Sequence, residues 1–200
     1  MRLVLQRVDS GSVTVSGEIS GAIEKGIAVL VGFTSGDSEE DFEWASKKIL
    51  DSKIFQDDQQ RSWRASVRDL NIPVLIVSQF TLYTIWGGKR PKFHRAMAPT
   101  EAQELYNKFI EYMRGEHSSP IETGQFGEYM DIDLHLSGPV TMTFDSRQSV
   151  YLDDLTDEQL EIVNPSYLRD KRRKEAKRVR YEQAHAKQQS VAETTGVTEQ

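Results

Sequence analysis

Six apolar, mostly β-branched runs, all before Ser146, constrain this chain more than any other feature. They cover residues 3–8, 12–15, 27–33, 74–83, 130–136 and 140–144. Short runs of this kind, punctuated by glycine, suit strands. Between them, residues 38–50 read as an amphipathic helix, with Phe42, Ala45, Ile49 and Leu50 on one face and Ser38 placed to cap the first turn. A second helix is expected where Thr100 and Gln103 fit a capping box. Leu105, Tyr106, Phe109, Tyr112 and Met113 then repeat at helical spacing until Gly115, a stop signal. Strands mixed with two separated helices predict an α+β fold, a curved, barrel-like mixed β-sheet packed by two helices.

After Ser146 the character changes, which divides the chain into a domain over residues 1–146 and a charged C-terminal extension, helical or disordered, over 147–200. The extension opens with Asp153, Asp154, Asp157, Glu158 and Glu161. A basic run follows, with Arg169, Lys171, Arg172, Arg173, Lys174, Lys177, Arg178 and Arg180 against only Asp170 and Glu175. So little of it is apolar that it cannot pack as a core helix. It reads as a solvated helix or tail, or alternatively as a phosphate-binding arm. From Gln188 onward the composition is that of a disordered segment.

The 38% hydrophobic content supports one core, and the formal net charge of -6 argues against a protein that grips nucleic acid with its whole surface; any such contact must be regional. With no cysteine, disulfides, thiolate metal sites and a cysteine nucleophile are excluded, and a reducing compartment, the cytoplasm, is expected. No run approaches a membrane span or a signal-peptide core. The usual catalytic signatures are missing too: no GxSxG elbow, HExxH, Walker loop or dinucleotide fingerprint occurs. The four histidines, His94, His117, His135 and His185, have the spacing of neither a metal site nor a triad, and Asp131 and Asp133 read as solvent-facing acids rather than a catalytic pair.

Three segments remain. Ser78-Gln79-Phe80-Thr81-Leu82-Tyr83 ends the most apolar strand in polar side chains, a place to present a hydroxyl, an amide and free backbone N–H groups. In Ser137-Gly138-Pro139-Val140-Thr141 a Gly-Pro stands between two strands, where a turn is the plain explanation. The segment from Gly87 to Arg95 interleaves Lys89, Arg90 and Lys92 with Phe93 in a glycine-containing loop. It suits a single-stranded nucleic-acid contact, or is an exposed basic loop of the common kind.

In this order, LQRV near the start, GxIxKGIxVLVG over residues 21–32, KIxxxKIF over 48–55, VSQFTLY, GGKRPKFHRAM, ETGQFGEYM and SGPVT resemble the D-aminoacyl-tRNA deacylases, often called D-tyrosyl-tRNA deacylases. The match spans residues 1–146. The resemblance implies a homodimeric hydrolase that cleaves the ester of D-aminoacyl-tRNA, with glycyl-tRNA also accepted, without metal or cofactor. It further implies that Gly138-Pro139 of one subunit, held cis, enters the site of the other, where its carbonyls capture the substrate's amino group and exclude an L side chain. Phe80 would donate its backbone N–H to the ester carbonyl, with Ser78 and Thr81 beside the scissile bond and Gln79 ordering the pocket. Hydrolysis would lean on the 2′-hydroxyl of the terminal adenosine. Phe126 and Met130 would line the adenine pocket, Arg7 would hold the Gly-Pro loop, and Lys89, Arg90 and Lys92 would meet tRNA. One departure stands out: the family usually has Asn two places before the Gly of Gly-Pro, where this sequence has Leu136.

Overall fold

A computed structural model describes residues 1–147, 156–158, 161, 168–169, 171–173 and 175–177. The chain divides into two compact units, Met1–Ser149 and Val150–Gln200.

The first unit is organised by one long strand, β1 (Arg2–Val15). One edge of β1 is shared by two strands: antiparallel β3 (Gly26–Gly32) pairs with residues 2–8 and antiparallel β2 (Glu18–Ile23) with residues 11–15. The other edge takes β8 (Asp131–Asp145), also antiparallel, from end to end. Beyond β3 the sheet continues in parallel through β4 (Val74–Ser78) and β7 (Ile121–Thr123). The sheet then curls until its two ends approach, where the Ser20 hydroxyl donates to the Thr123 carbonyl at 3.3 Å. The result is the nearly closed, barrel-like mixed sheet of an α+β fold.

Burial explains the sequence patterns. The parallel strands β3 and β4 are buried on both faces, which is why residues 27–31 and 74–77 read as near-continuous apolar runs. Alternate residues serve two cores. Val8, Val13, Ala28, Leu75 and Val77 fill the inner one. Leu3, Leu5, Val29, Val31 and Ile76 face the helices α1 (Phe42–Asp51) and α3 (Pro99–Glu116). Phe42, Ala45, Ile49 and Leu50 are buried together, and Phe42 meets Phe109 of α3 with ring centroids 5.2 Å apart. Ser38 caps a single 3-10 turn, Glu39–Asp41, that runs directly into α1, completing a capping box with Asp41.

Several expectations need correction. The Thr100 capping box does not form: Ala98 is the N-cap of α3, makes no side-chain cap bond, and is followed by Pro99, whose fixed φ suits the first helical position. Nor does Gly115 stop the helix, which continues to Glu116 and ends where His117 turns extended. The strand expected over 74–83 stops at Ser78, giving way to a 3-10 turn, Phe80–Tyr83. The pairs of runs 3–8 with 12–15 and 130–136 with 140–144 each join into one strand, because β1 and β8 pair with each other throughout. Polarity hid β2, and brevity hid β7 and the helix α2 (Val67–Leu70), which Ser66 and Asp69 cap reciprocally.

In the second unit the described residues at Asp157, Glu158, Glu161, Leu168, Arg169 and residues 171–173 and 175–177 are helical, and Arg172 pairs with Asp157 at 3.0 Å. Asp153, Asp154, Lys174, Arg178, Arg180, His185 and everything from Gln188 onward lie outside the described residues. Among the described residues, no helix is long and apolar enough to cross a membrane.

Candidate active site

Where β4 ends, its chain must turn sharply past β3. Gln79 donates its backbone N–H to Val31 at 2.7 Å, and its carbonyl passes so close to Gly32 that a Cβ there would lie 2.8 Å from that oxygen. Only glycine fits at position 32. The chain then folds into the 3-10 turn Phe80–Tyr83, whose first backbone bond runs from Leu82 N–H to Gln79 C=O at 3.3 Å. The N–H groups of Phe80 and Thr81 precede that bond and so have no partner within the turn. The Gln79 side-chain amide donates to the Thr81 hydroxyl, tying the start of the turn together.

The turn forms one wall of a cleft of about 660 Å³. Ser78, Gln79 and Phe80 line it on one side and Phe126 and Met130, from the segment between β7 and β8, on another. Thr81 is exposed beside it. Phe80 itself is 57% exposed and meets Phe93 edge-on, with centroids 5.0 Å apart. Five residues singled out in the sequence are therefore gathered at one opening. Phe93, read in the sequence as part of a nucleic-acid-contacting loop, lines it too, as do Met97, Ala102 and Tyr129, which had no assigned role because an apolar lining residue carries no chemical signature of its own.

Behind the cleft, Tyr106 donates its hydroxyl to the Ile76 carbonyl at 2.9 Å, and burial pushes its pKa well above the usual tyrosine value. Tyr83 lies beneath the Arg2 guanidinium, 4.5 Å from its ring centroid. Burial, reinforced by Asp37 and Asp145, likewise raises its pKa. Both phenols are fixed in their protonated form at neutral pH, so neither is a base. No histidine lines the cleft, and no group of His, Cys, Asp or Glu among the described residues could hold a metal ion. His117 is buried with its ring against the Ile72 carbonyl at 2.9 Å, a structural role. What the opening offers is backbone N–H groups, the Ser78 hydroxyl, the Glu128 carboxylate and an apolar floor, with no histidine beside the hydroxyl to activate it, an arrangement suited to polarising a carbonyl.

Gly138 and Pro139 are not part of this cleft. Gln6 pairs with Thr141 and Val8 with Leu136, so Arg7 alone stands opposite residues 137–140. Those four residues leave the ladder as a bulge, with Gly138 and Pro139 exposed and Ser137 and Val140 partly buried. Arg7 supports it: its Nε donates to the Ser137 carbonyl at 3.1 Å and its Nη1 to the Ile54 carbonyl at 2.6 Å. Gly138 has φ +108°, and a Cβ there would lie 2.5 Å from the Arg7 Nη2. Contrary to the implied cis bond, Gly138-Pro139 is trans, since the described residues contain no cis peptide. The trans form is the intrinsically preferred one by about 0.5–1 kcal/mol, and the positive φ of Gly138 accommodates the bulge within β8 without changing the strand's direction.

Lys89, Arg90 and Lys92 stand apart from both groups, on a two-stranded hairpin, β5 (Ile85–Gly87) with β6 (Arg90–Lys92), and all three are exposed.

Comparison with known proteins places this geometry in a family. Residues 4–145 match the family model described as D-Tyr-tRNA(Tyr) deacylase. A D-aminoacyl-tRNA deacylase of Thermosipho melanesiensis is 44% identical over 149 residues, covering 74% of this chain and 99% of the relative. The D-aminoacyl-tRNA deacylase 1 of Leishmania major is 41% identical over 150 residues, covering 74% of this chain and 99% of the relative. Among solved structures, one titled c-Myc DNA Unwinding Element Binding Protein matches with a TM-score of 0.70 and 40% identity, covering 73% of this chain and 99% of that one.

Proposed function

The chain belongs to the D-Tyr-tRNA(Tyr) deacylase family, and from that premise we propose that it is a hydrolase cleaving the ester between a D-amino acid and the 3′ end of a tRNA. The observation that carries the reading is the end of β4, where a 3-10 turn leaves the N–H groups of Phe80 and Thr81 without a partner in the turn, beside a cleft that Ser78, Gln79 and Phe80 line and no histidine enters.

In this mechanism the terminal adenine rests against Phe126 and Met130, and the ester carbonyl oxygen accepts from the Phe80 N–H. Water adds to the carbonyl carbon, assisted by the substrate's own 2′-hydroxyl. The bond to the 3′ oxygen then breaks, that oxygen takes the proton, and the D-amino acid and tRNA separate. Ser78 and Thr81 flank the scissile bond, and Gln79 orients the Thr81 hydroxyl. An aminoacyl ester is already activated, so positioning and one or two aimed donors, each worth roughly 2.7–4 kcal/mol, suffice.

Chirality is read across a homodimer. Gly138 and Pro139 lie outside their own cleft on an exposed excursion of β8, whose outer edge has no partner strand among the described residues. An open edge of that length is suited to a second copy. In the proposed dimer the Gly138-Pro139 segment, with its bond trans, enters the neighbouring cleft, where a backbone carbonyl takes the substrate's α-amino group and the segment leaves no room for an L side chain. Glycyl-tRNA passes the same filter. Arg7 is the positioning residue for this segment, through its hydrogen bond to the Ser137 carbonyl. Lys89, Arg90 and Lys92 contact tRNA, and the reaction takes place in the cytoplasm.

The test is to incubate the protein with D-Tyr-tRNA and L-Tyr-tRNA in the presence of a chelator and follow release of the amino acid. Loss of the D ester alone is expected. Cleavage of both would remove the chiral clamp while leaving the hydrolase. Cleavage of neither would favour a second reading, a nucleic-acid-binding module, for which the basic hairpin and the name of the 40% identical structure speak.

A further inference from the structure

The hairpin β5–β6 carries a residue that neither the core nor the cleft accounts for. Trp86 is 71% exposed. It stands opposite Pro91 in the hairpin register, so the indole and the proline ring share one face of the ribbon. A three-residue strand outside the main sheet gains no core by carrying tryptophan, and with the exposed Pro91 beside it the indole forms a two-ring apolar surface rather than a lone exposed side chain.

The surroundings define the kind of partner. In a chain of net charge -6, residues 70–100 contain no Asp or Glu, yet they hold Lys89, Arg90, Lys92 and Arg95. None of these four cations makes an ion pair among the described residues. The Lys92 side chain lies across Gly87, approaching to 2.7 Å from where a Cβ would stand, on the ribbon face opposite the indole. Rings on one face, Arg90 and Lys92 on the other and Lys89 at the turn suit an unpaired nucleotide whose base lies on the rings while the flanking phosphates pass around the ribbon, because every base offers a π-face and every phosphate a charge.

The hairpin is also anchored at the cleft. Its first strand follows the 3-10 turn that carries Phe80, and its second leads directly into Phe93, which packs on Phe80. Pro91 is two residues, or about 7 Å of extended chain, from Phe93. We propose that the Trp86–Pro91 face is a stacking platform for the unpaired nucleotide adjoining the terminal adenosine of an RNA 3′ strand, with Lys89, Arg90 and Lys92 neutralising its phosphates. The identity of the RNA end rests on the deacylase reading. The platform then selects a single-stranded 3′ overhang over a blunt duplex, and grips the substrate by nucleotides that take no part in the chemistry.

The experiment measures binding without turnover. A labelled, uncharged RNA hairpin with a four-nucleotide 3′ overhang ending in adenosine, and its blunt counterpart, are titrated with the full chain by anisotropy. The overhang is expected to bind more tightly, and W86A to weaken it about 5- to 150-fold, base stacking's ~1–3 kcal/mol at 1.4 kcal/mol per tenfold. W86F, which keeps an aromatic face, should recover most of the loss. The combined variant K89A/R90A/K92A should flatten the salt dependence by about 0.7 per cation removed. Equal binding of overhang and blunt RNA, or equal affinity of W86A and wild type, would overturn the proposal. Hydrolysis of D-Tyr-tRNA is read separately. Overhang binding that needs Trp86, without cleavage, sinks the deacylase reading and leaves the platform, whereas cleavage with no role for Trp86 does the reverse.

Discussion

At the residue scale the site depends on small, exact fits. Thr81→Ala leaves the backbone donors in place but removes the hydroxyl that Gln79 holds, and it is expected to lower kcat/KM on D-Tyr-tRNA by about 10²-fold, the scale of one aimed donor. A wild-type rate would remove Thr81 from the mechanism. Asp37 is fully buried and pairs with both the Met1 ammonium and Arg147 at 3.0 Å. Asp37→Ala strands the buried ammonium without its counter-charge and should cost about 3–5 kcal/mol in chemical denaturation.

At the element scale, α2 is the piece whose stability depends on pH. Hydrogen bonds from Lys53 and then Ser66 hold the Asp69 pKa at about 2, below the ordinary aspartate value of 3.8. A carboxylate with a depressed folded pKa stabilises fully above its unfolded value and loses that contribution as pH falls through the folded one. The window is therefore from about pH 4 down to about 2. Because the Lys53–Asp69 pair is roughly half exposed, the effect is small and salt-sensitive. Asp69→Asn should flatten the urea midpoint across that window, and an unchanged pH profile would contradict the assignment. The other revealing element is β8. Its polar and small residues hid a continuous strand, because a residue such as Gly138 is placed by the ladder on both sides of it and not by its own propensity.

At the scale of the whole molecule, a shared site makes a prediction that a self-contained one does not. A Thr81→Ala chain and a Gly138→Ala chain, each impaired alone, should on mixing and reassembly recover about a quarter of wild-type sites. Half of the dimers are then mixed, and each of these holds one intact site. No recovery, or a monomer in light scattering at micromolar concentration, would place the complete site within one chain. Removing residues 148–200 should leave hydrolysis largely unchanged, since the family match ends at residue 145. A large loss would bring the basic run into tRNA binding.

Much of this was legible in the residues alone. The strand periods and the buried face of α1 follow from local composition, because a β-branched run or a capping serine acts within a few residues of itself, whereas the roles of Ser78, Phe126 and Gly138 were legible only through the resemblance of their motifs to a family. The gathering of Phe80, Phe126 and Met130 around one cleft required the sheet to curl. So did the separation of Gly138 from that cleft and the ending of β4 at Ser78, since each is decided by which strand lies alongside. Trp86 is the clearest case: its sequence neighbours are those of any loop, and only the pairing with Pro91 beside a cleft-anchored phenylalanine makes its exposure meaningful. Local order comes from short-range sterics and solvation. The site comes from contacts between residues far apart in the chain, which nothing short of the folded sheet brings together.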